Sequence, residues 1–281
     1  MRYALTLSYD GSSFCGWQIQ PGDPSVQQTL QNALTTLLGK ETAVTGAGRT
    51  DTGVNALGYV AHFDCDGSLP YKIEDFLYKI NAILPKEIAV QSICEAESEF
   101  HARFDATRRT YHYFIHFEKD PFVRRTSWFC KYRLDVAAMR AACPLLLGTH
   151  DFSCFEKSGA DSKTSICTVY EAEWKEYVPM LGALAGGDCP ERSPAADGPE
   201  GSPAADGPEG SPAADGRYLY FRITADRFLR NMVRAIVGTM VEIGRGRMSP
   251  DDIPALLASH DRCRAGQSVP GHALFLTKVE Y

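Results

Sequence analysis

Ten residues, Thr45-Gly-Ala-Gly-Arg-Thr-Asp-Thr-Gly-Val54, set three glycines around one arginine and one aspartate. Glycine lets a chain turn tightly and lets another molecule approach its backbone, so Arg49 and Asp51 are expected at the tip of a turn. A carboxylate held there fits nucleophilic or general-base work. A plain exposed turn with two solvated charges fits the same ten residues. Nucleotide fingerprints fail on spacing: glycines 46, 48 and 53 do not make G-x-G-x-x-G, because position 51 is aspartate, and no G-K-[ST] follows. Asp51-Thr52-Gly53 spells the D-T-G of aspartic proteases, which need two carboxylates sharing a proton. No second D-T-G exists in the chain, so only a homodimeric protease would fit.

Other reactive side chains give weaker patterns. His112 and His116 lie two strand periods apart without a third ligand at suitable spacing, so packing or contact with a partner is expected and a metal is not. His62 and His150 are expected to be hydrogen-bonding core residues. The nine cysteines (15, 65, 94, 130, 143, 154, 167, 189 and 263) include no C-x-x-C pair. They read as small, mostly buried thiols in a reducing cytosol, with neither a disulfide scaffold nor a zinc site.

The elements that must position these residues alternate in type. Strands are expected at 2–9, 59–65 and 88–94, with helices at 25–38, behind a Ser25 cap, and at 73–84, ahead of Pro85. The second half repeats the style. Strands are expected at 110–117, 166–177, 218–224 and 274–279, and helices at 136–147, at 228–243 and, in short form, after Ser249-Pro250. The fold class is therefore α+β: two similar α/β subdomains, 1–104 and 105–281, with antiparallel sheets flanked by helices and a central active-site cleft.

Composition sharpens the class. With 281 residues, 44% of them apolar and 23% charged, the chain matches an ordinary globular protein and excludes disordered, collagenous and coiled-coil readings. Its start lacks a signal-peptide pattern and no apolar run is long enough for a membrane span, so a soluble cytoplasmic protein is expected. Residues 193–216 repeat a nine-residue SPAADGPEG unit that offers nothing to bury, and a flexible insertion between two strands is expected there. The net charge of −6 argues at first against a polyanionic partner. Five of the carboxylates belong to the repeat, however, leaving 30 acids against 29 bases over the other 257 residues. Seven arginines between 217 and 247 (217, 222, 227, 230, 234, 245, 247) and eight bases between 99 and 133 suggest a basic groove suited to phosphate contacts.

Beyond these patterns, the run from Ala47 to Phe63 resembles the active-site motif of the tRNA pseudouridine synthase A family, AGRTD-x-GVHA followed by QVAHF. Further landmarks of that family occur in order. They are Tyr9-Asp-Gly, Gly16-Trp-Gln-Ile-Gln20, Phe100-His-Ala-Arg-Phe104, Arg108-Arg-Thr-Tyr-His-Tyr113, Gly148-Thr-His-Asp-Phe152 and Phe228-Leu-Arg-Asn-Met-Val-Arg-Ala-Ile-Val-Gly238. Asn55 stands where the family has histidine and Tyr59 where it has glutamine, and both are expected to be peripheral to the chemistry. Ser268-Val-Pro-Gly-His-Ala-Leu274 resembles the family's closing A-P-x-x-G-L turn, with Gly271 and Ala273 exchanged.

The resemblance implies a reaction that breaks the bond from uracil N1 to the ribose, rotates the base and rejoins it through C5, with no cofactor, redox step or metal. It makes Asp51 the catalytic carboxylate. Attack on the ring, attack on the sugar and removal of the ribose 2′ proton are all compatible with that role. Arg234 matches the family arginine that pairs with the aspartate; a permanent cation complements the carboxylate and cannot itself deliver a proton. Tyr111 matches the tyrosine that stacks on the target base and takes part in C5 proton transfer, although Tyr113 points the same way. Arg49 matches the arginine that holds or displaces the target nucleotide, which must leave its stack to react. Arg108, Arg109 and Arg230 join Arg49 and Tyr111 as expected substrate-binding residues, with Arg230 and Arg234 four apart on one helix face. The resemblance further implies the anticodon arm of tRNA, positions 38 to 40, as substrate and a homodimer as the working unit. A non-catalytic RNA-binding module on the same fold and a synthase with shifted RNA specificity are the rival readings.

Overall fold

In the computed structural model, which describes residues 1–157, 159, 164–180 and 217–281, ten strands form one sheet. The repeat at 193–216 and Cys189 lie outside the described residues. Strand β1 (Arg2–Tyr9) alternates buried and half-buried positions, as its sequence does. Ser25 caps helix α1 (Val26–Leu38), its hydroxyl accepting from the Gln28 N–H at 3.2 Å, and Gly39 ends the helix in the left-handed region. Then come β2 (Val44–Gly46), β3 (Asn55–Asp64), α2 (Ile73–Ile83) and β4 (Ile88–Ala96). The second half holds β5 (Arg108–His116), β6 (Trp128–Phe129), α3 (Val136–Ala142), β7 (Gly148–Asp151), β8 (Ile166–Glu176) and β9 (Tyr218–Ala225). Helices α4 (Met232–Gly244) and α5 (Asp252–Ser259) and strand β10 (Leu274–Glu280) complete it.

Three elements differ from expectation for local reasons. The helix expected at 228–243 starts at Met232, because Asn231 adopts φ 67, a left-handed conformation that a right-handed helix cannot include. Arg230 therefore sits in the turn ahead of α4, not on a helix face with Arg234. The helix expected at 136–147 gives way at Cys143 to a tighter turn, Cys143–Leu146, where Pro144 has no N–H to offer. The third strand starts at Asn55, four residues early, because Asn55 and Ala56 pair with Phe275 and Leu276 of β10.

The sheet order is β4-β1-β3-β10-β5-β9-β8-β7, with β2 added beside β3 and β6 beside β5. Strand β10 lies between β3 and β5, running parallel to β3 and antiparallel to β5. Register aligns Tyr9, Ala56, Leu276, Tyr111, Ile223 and Ala172 in a single row across six strands. Residues facing each other across a ladder share a face, so this row defines one apolar side of the sheet. Leu5, Leu7, Tyr59, Tyr113 and Phe221 extend that face and are buried in one core. The same row lines the start of β3, just after the Asp51 turn, up with Tyr111 on β5, with Leu276 of β10 between them. Among the described residues, no helix is long and apolar enough to cross a membrane.

Candidate active site

Strands β2 and β3 pair antiparallel, so residues 47–54 form the loop of a hairpin whose tip carries Arg49 and Asp51. Several groups hold this loop by its backbone. The Trp17 N–H donates to the Thr50 carbonyl at 3.3 Å, and the Gly53 N–H to the Phe14 carbonyl at 3.3 Å. The hydroxyls of Tyr9 and Thr50 share a buried bond of 2.9 Å. Tyr59 donates its hydroxyl to the Gly48 carbonyl and accepts from the Gly48 N–H at 3.3 Å. Gly16, at φ 89, packs so close to this loop that a Cβ there would lie 2.2 Å from the Thr50 carbonyl oxygen.

Opposite the loop stands the turn at 268–274. Arg234 of α4 donates from Nε to the Val269 carbonyl at 2.7 Å and from Nη1 to Asp51 Oδ2 at 3.3 Å. Its backbone carbonyl also accepts from the Val269 N–H at 3.2 Å. Gly271 lies against the Asp51 loop, where a Cβ would come within 2.7 Å of the Thr52 carbonyl oxygen. Asn55 accepts from the Gly11 N–H at 2.8 Å and donates to the His272 carbonyl at 2.7 Å, linking loop, turn and the end of β1. Asn55 and Tyr59, expected to be peripheral, thus brace the segment that carries Asp51. Their positions beside it could be foreseen only from pairings distant in sequence.

Asp51 keeps a quarter of its side chain exposed, while Tyr111 is buried to 9% exposure. Phe228 meets the Tyr111 ring edge-on, with centroids 5.1 Å apart. Among the described residues the Tyr111 hydroxyl makes no hydrogen bond, whereas that of Tyr113 donates to the Pro270 carbonyl at 3.1 Å. The geometry therefore separates two tyrosines that the strand pattern leaves equivalent. Burial pushes the Tyr111 phenol up to about 12; nearby Arg109 opposes the shift and the Asp51 charge adds to it.

The expected binding arginines fall in different settings. Arg49 is exposed and lines, with Trp17, Gln27, Gly48 and Arg103, a groove of about 160 Å³ beside the loop. Arg103 belongs to the Phe100–Phe104 landmark and had no role assigned from sequence. Arg108 lies over the Tyr170 ring, 4.5 Å from its centroid, and Arg230 is exposed. Arg109 points inward, toward main-chain carbonyls. Ion pairs also offset part of the basic run at 217–247. Arg222 pairs with Glu171 and Glu173 across β8, Arg217 with Glu118, and Arg245 and Arg247 with Glu242.

Histidines and cysteines take structural places. His62 is buried and its Nδ1 accepts from the Ala102 N–H at 3.1 Å, while His150 is only half-buried and so departs from its expected core position. The Nδ1 atoms of His112 and His116 bond the hydroxyls of Thr277 at 2.8 Å and Ser127 at 2.9 Å. Among the described residues no group of three or more His, Cys, Asp or Glu side chains is placed to hold a metal ion. Four of the eight described cysteines are buried, and Cys94 and Cys263 are exposed.

A sequence profile described as tRNA pseudouridine synthase matches residues 6–105 and 142–281. The chain is 42% identical over 280 residues to the tRNA pseudouridine synthase A of Bacteroides fragilis, covering all of this chain and 96% of that protein. Against the tRNA pseudouridine synthase A of Bacillus subtilis it is 39% identical over 285 residues, covering all of this chain and 99% of the relative. The relative of the same name from Parabacteroides distasonis is 42% identical over 283 residues.

Proposed function

Because the chain belongs to the tRNA pseudouridine synthase family, we propose that it isomerises uridine to pseudouridine in tRNA, with Asp51 as its catalytic carboxylate. The observation that carries this reading is the Asp51–Arg234 ion pair, set on a braced hairpin loop next to a buried tyrosine with an unpartnered hydroxyl.

The bond from N1 to C1′ breaks, the uracil turns, and a bond from C5 to C1′ forms. The C5 proton leaves and N1 takes one from solvent, so the product is an isomer and no cofactor or metal enters the balance. Asp51 acts on the nucleotide, while Arg234 complements its charge and ties it to the Val269 carbonyl. A permanent cation suits that task because it holds its proton throughout. Tyr111 offers a ring for the unstacked base, and its phenol, raised to about 12, stays protonated at neutral pH. It serves as platform and, in C5 proton transfer, as a relay that passes its own proton to solvent as it takes the one from C5, rather than as a standing base. Arg49 at the tip of the loop takes the place of the displaced nucleotide, and Arg108 and Arg230 contact phosphates.

The same reading takes the anticodon arm, positions 38 to 40, as the site of modification and a cytoplasmic homodimer as the working form. It takes 1–104 and 105–281 as two α/β halves that meet at the cleft, with 193–216 a passive insertion. The test is tritium release from tRNA labelled at uridine C5. The wild type should release tritium, and Asp51→Asn should release none while binding tRNA within about twofold of normal, because a phosphate-dominated interface barely notices one carboxamide. Near-normal release by the variant would overturn the assignment. Mapping the modified uridines separates positions 38 to 40 from other RNA sites, and no release by the wild type would favour a binding module.

A further inference from the structure

Arg109 stands in the Arg108-Arg-Thr-Tyr landmark and has the charge expected of a phosphate ligand, yet it is half-buried and its side chain is turned into the molecule. Its Nε donates to the Ala47 carbonyl at 3.3 Å, and Nη2 donates to the same oxygen at 3.0 Å. Nη2 also reaches the Arg103 carbonyl at 2.7 Å. Nη1 donates to the carbonyls of Ala106 at 3.2 Å and Asp226 at 2.7 Å. A guanidinium has five N–H groups, and here all five are used by four backbone oxygens. Burial pulls its pKa down, the opposite of what an acidic partner would do.

Those four carbonyls belong to three separate segments, and each leads into a residue of the site. Ala47 opens the loop that carries Arg49 and Asp51. Arg103 and Ala106 belong to the segment before β5, and Arg103 lines the groove beside Arg49. Asp226 begins the stretch that runs through Phe228, which packs on Tyr111, to Arg234. Asp226 is itself fixed, since its carboxylate accepts from the N–H groups of Thr168 at 2.8 Å and Arg227 at 2.7 Å.

We infer that Arg109 is a positioning residue that sets the Asp51 loop against the segment carrying Phe228 and Arg234, and that it does not bind tRNA phosphate. The inference rests on Asp51 being the catalytic carboxylate. A lysine has the charge but a single head with three protons, so it cannot reach all three segments at once. Since misplacement by about 1 Å can cost on the order of 100-fold in rate, the loss should appear in the chemical step.

The experiment compares wild type, Arg109→Lys and Arg109→Gln by single-turnover tritium release with enzyme in saturating excess over tRNA, which makes the rate constant independent of the fraction folded. Both variants should lose about 100-fold in rate constant, with the tRNA Kd and its salt dependence unchanged. A phosphate contact would instead weaken binding and reduce the salt slope by about 1 in Arg109→Gln, with Arg109→Lys nearly normal; that result overturns the inference. A purely structural role would lower Tm and leave the saturated rate constant alone, which overturns it too. Should neither variant fold, the wild-type Arg109 NεH resonance, assigned through its NOE to Ala47, decides. It should not move when tRNA is added, and a shift would mean contact with RNA. If the wild type releases no tritium, the reading of Asp51 fails first, whereas an active wild type with active variants counts against Arg109 alone.

Discussion

Arg234 serves two acceptors from one side chain, Asp51 at 3.3 Å and the Val269 carbonyl at 2.7 Å. A lysine in its place keeps the charge but cannot hold both, so Arg234→Lys should lower the single-turnover rate by about 10- to 100-fold while tRNA binding stays near normal. Tyr111 calls for a different measurement. Its phenol is held at about 12, so it contributes no ionisation to a rate profile near neutral pH. Tyr111→Phe should therefore reduce the rate and keep the shape of the pH profile between about pH 6 and about pH 9; a limb lost in that interval would show that Tyr111 titrates there. Tyr59→Phe removes the hydroxyl that both donates to and accepts from Gly48, and should cost about 1–2 kcal/mol of stability, measured by denaturant unfolding. Asp51, Arg49 and Tyr111 could be singled out because their neighbours in sequence form motifs. Tyr59, Asn55 and Arg103 could not, since each acts through contacts that only the folded chain brings together.

Asn231 decides where α4 starts and which way Arg234 faces. Its φ of 67 is a conformation that glycine adopts freely and β-branched residues resist, and its amide donates to Ser268 Oγ in the turn facing Asp51. Asn231→Val should destabilise the fold by about 1–3 kcal/mol and depress turnover further than Asn231→Gly, which loses the amide but keeps the backbone; equal losses in the two would point to the amide alone. Elements with long regular patterns, β1, α1, α2 and β9, were legible from alternation or helical spacing. Shorter ones were not: β2, β6 and β7 have four residues or fewer, too few to show a period. The early start of β3 depends on β10, and the late start of α4 on one left-handed residue that helical periodicity does not register. The linear separation of basic and acidic runs likewise did not survive folding, because β8 and β9 lie side by side and put Glu171 and Glu173 opposite Arg222.

At the scale of the molecule, one buried histidine couples stability to pH. His62 accepts from the Ala102 N–H, and burial, helped by Arg2 and His101, lowers its pKa to about 4. The unfolded chain takes up that proton near the ordinary 6.5, so the stabilisation is complete above about pH 6.5 and is lost as pH falls toward about 4. At about pH 5 the loss is on the order of 2 kcal/mol, and His62→Gln should show a smaller drop in Tm between pH 7 and pH 5 than the wild type. Removal of 193–216 should leave Tm and turnover unchanged, because the strands before and after it, β8 and β9, are paired directly. A sheet joined through β10 also has a consequence in time. Asn55 and His272 are bonded across 217 positions of chain, and a ribosome makes the first long before the second. Until β10 and the turn before it emerge, the Asp51 loop has neither its neighbouring strand nor the opposing turn, and Arg234 lacks the carbonyl that steadies it. A nascent chain would therefore carry every residue of the motif without the means to modify RNA, and activity would switch on only when the central strand is threaded into place.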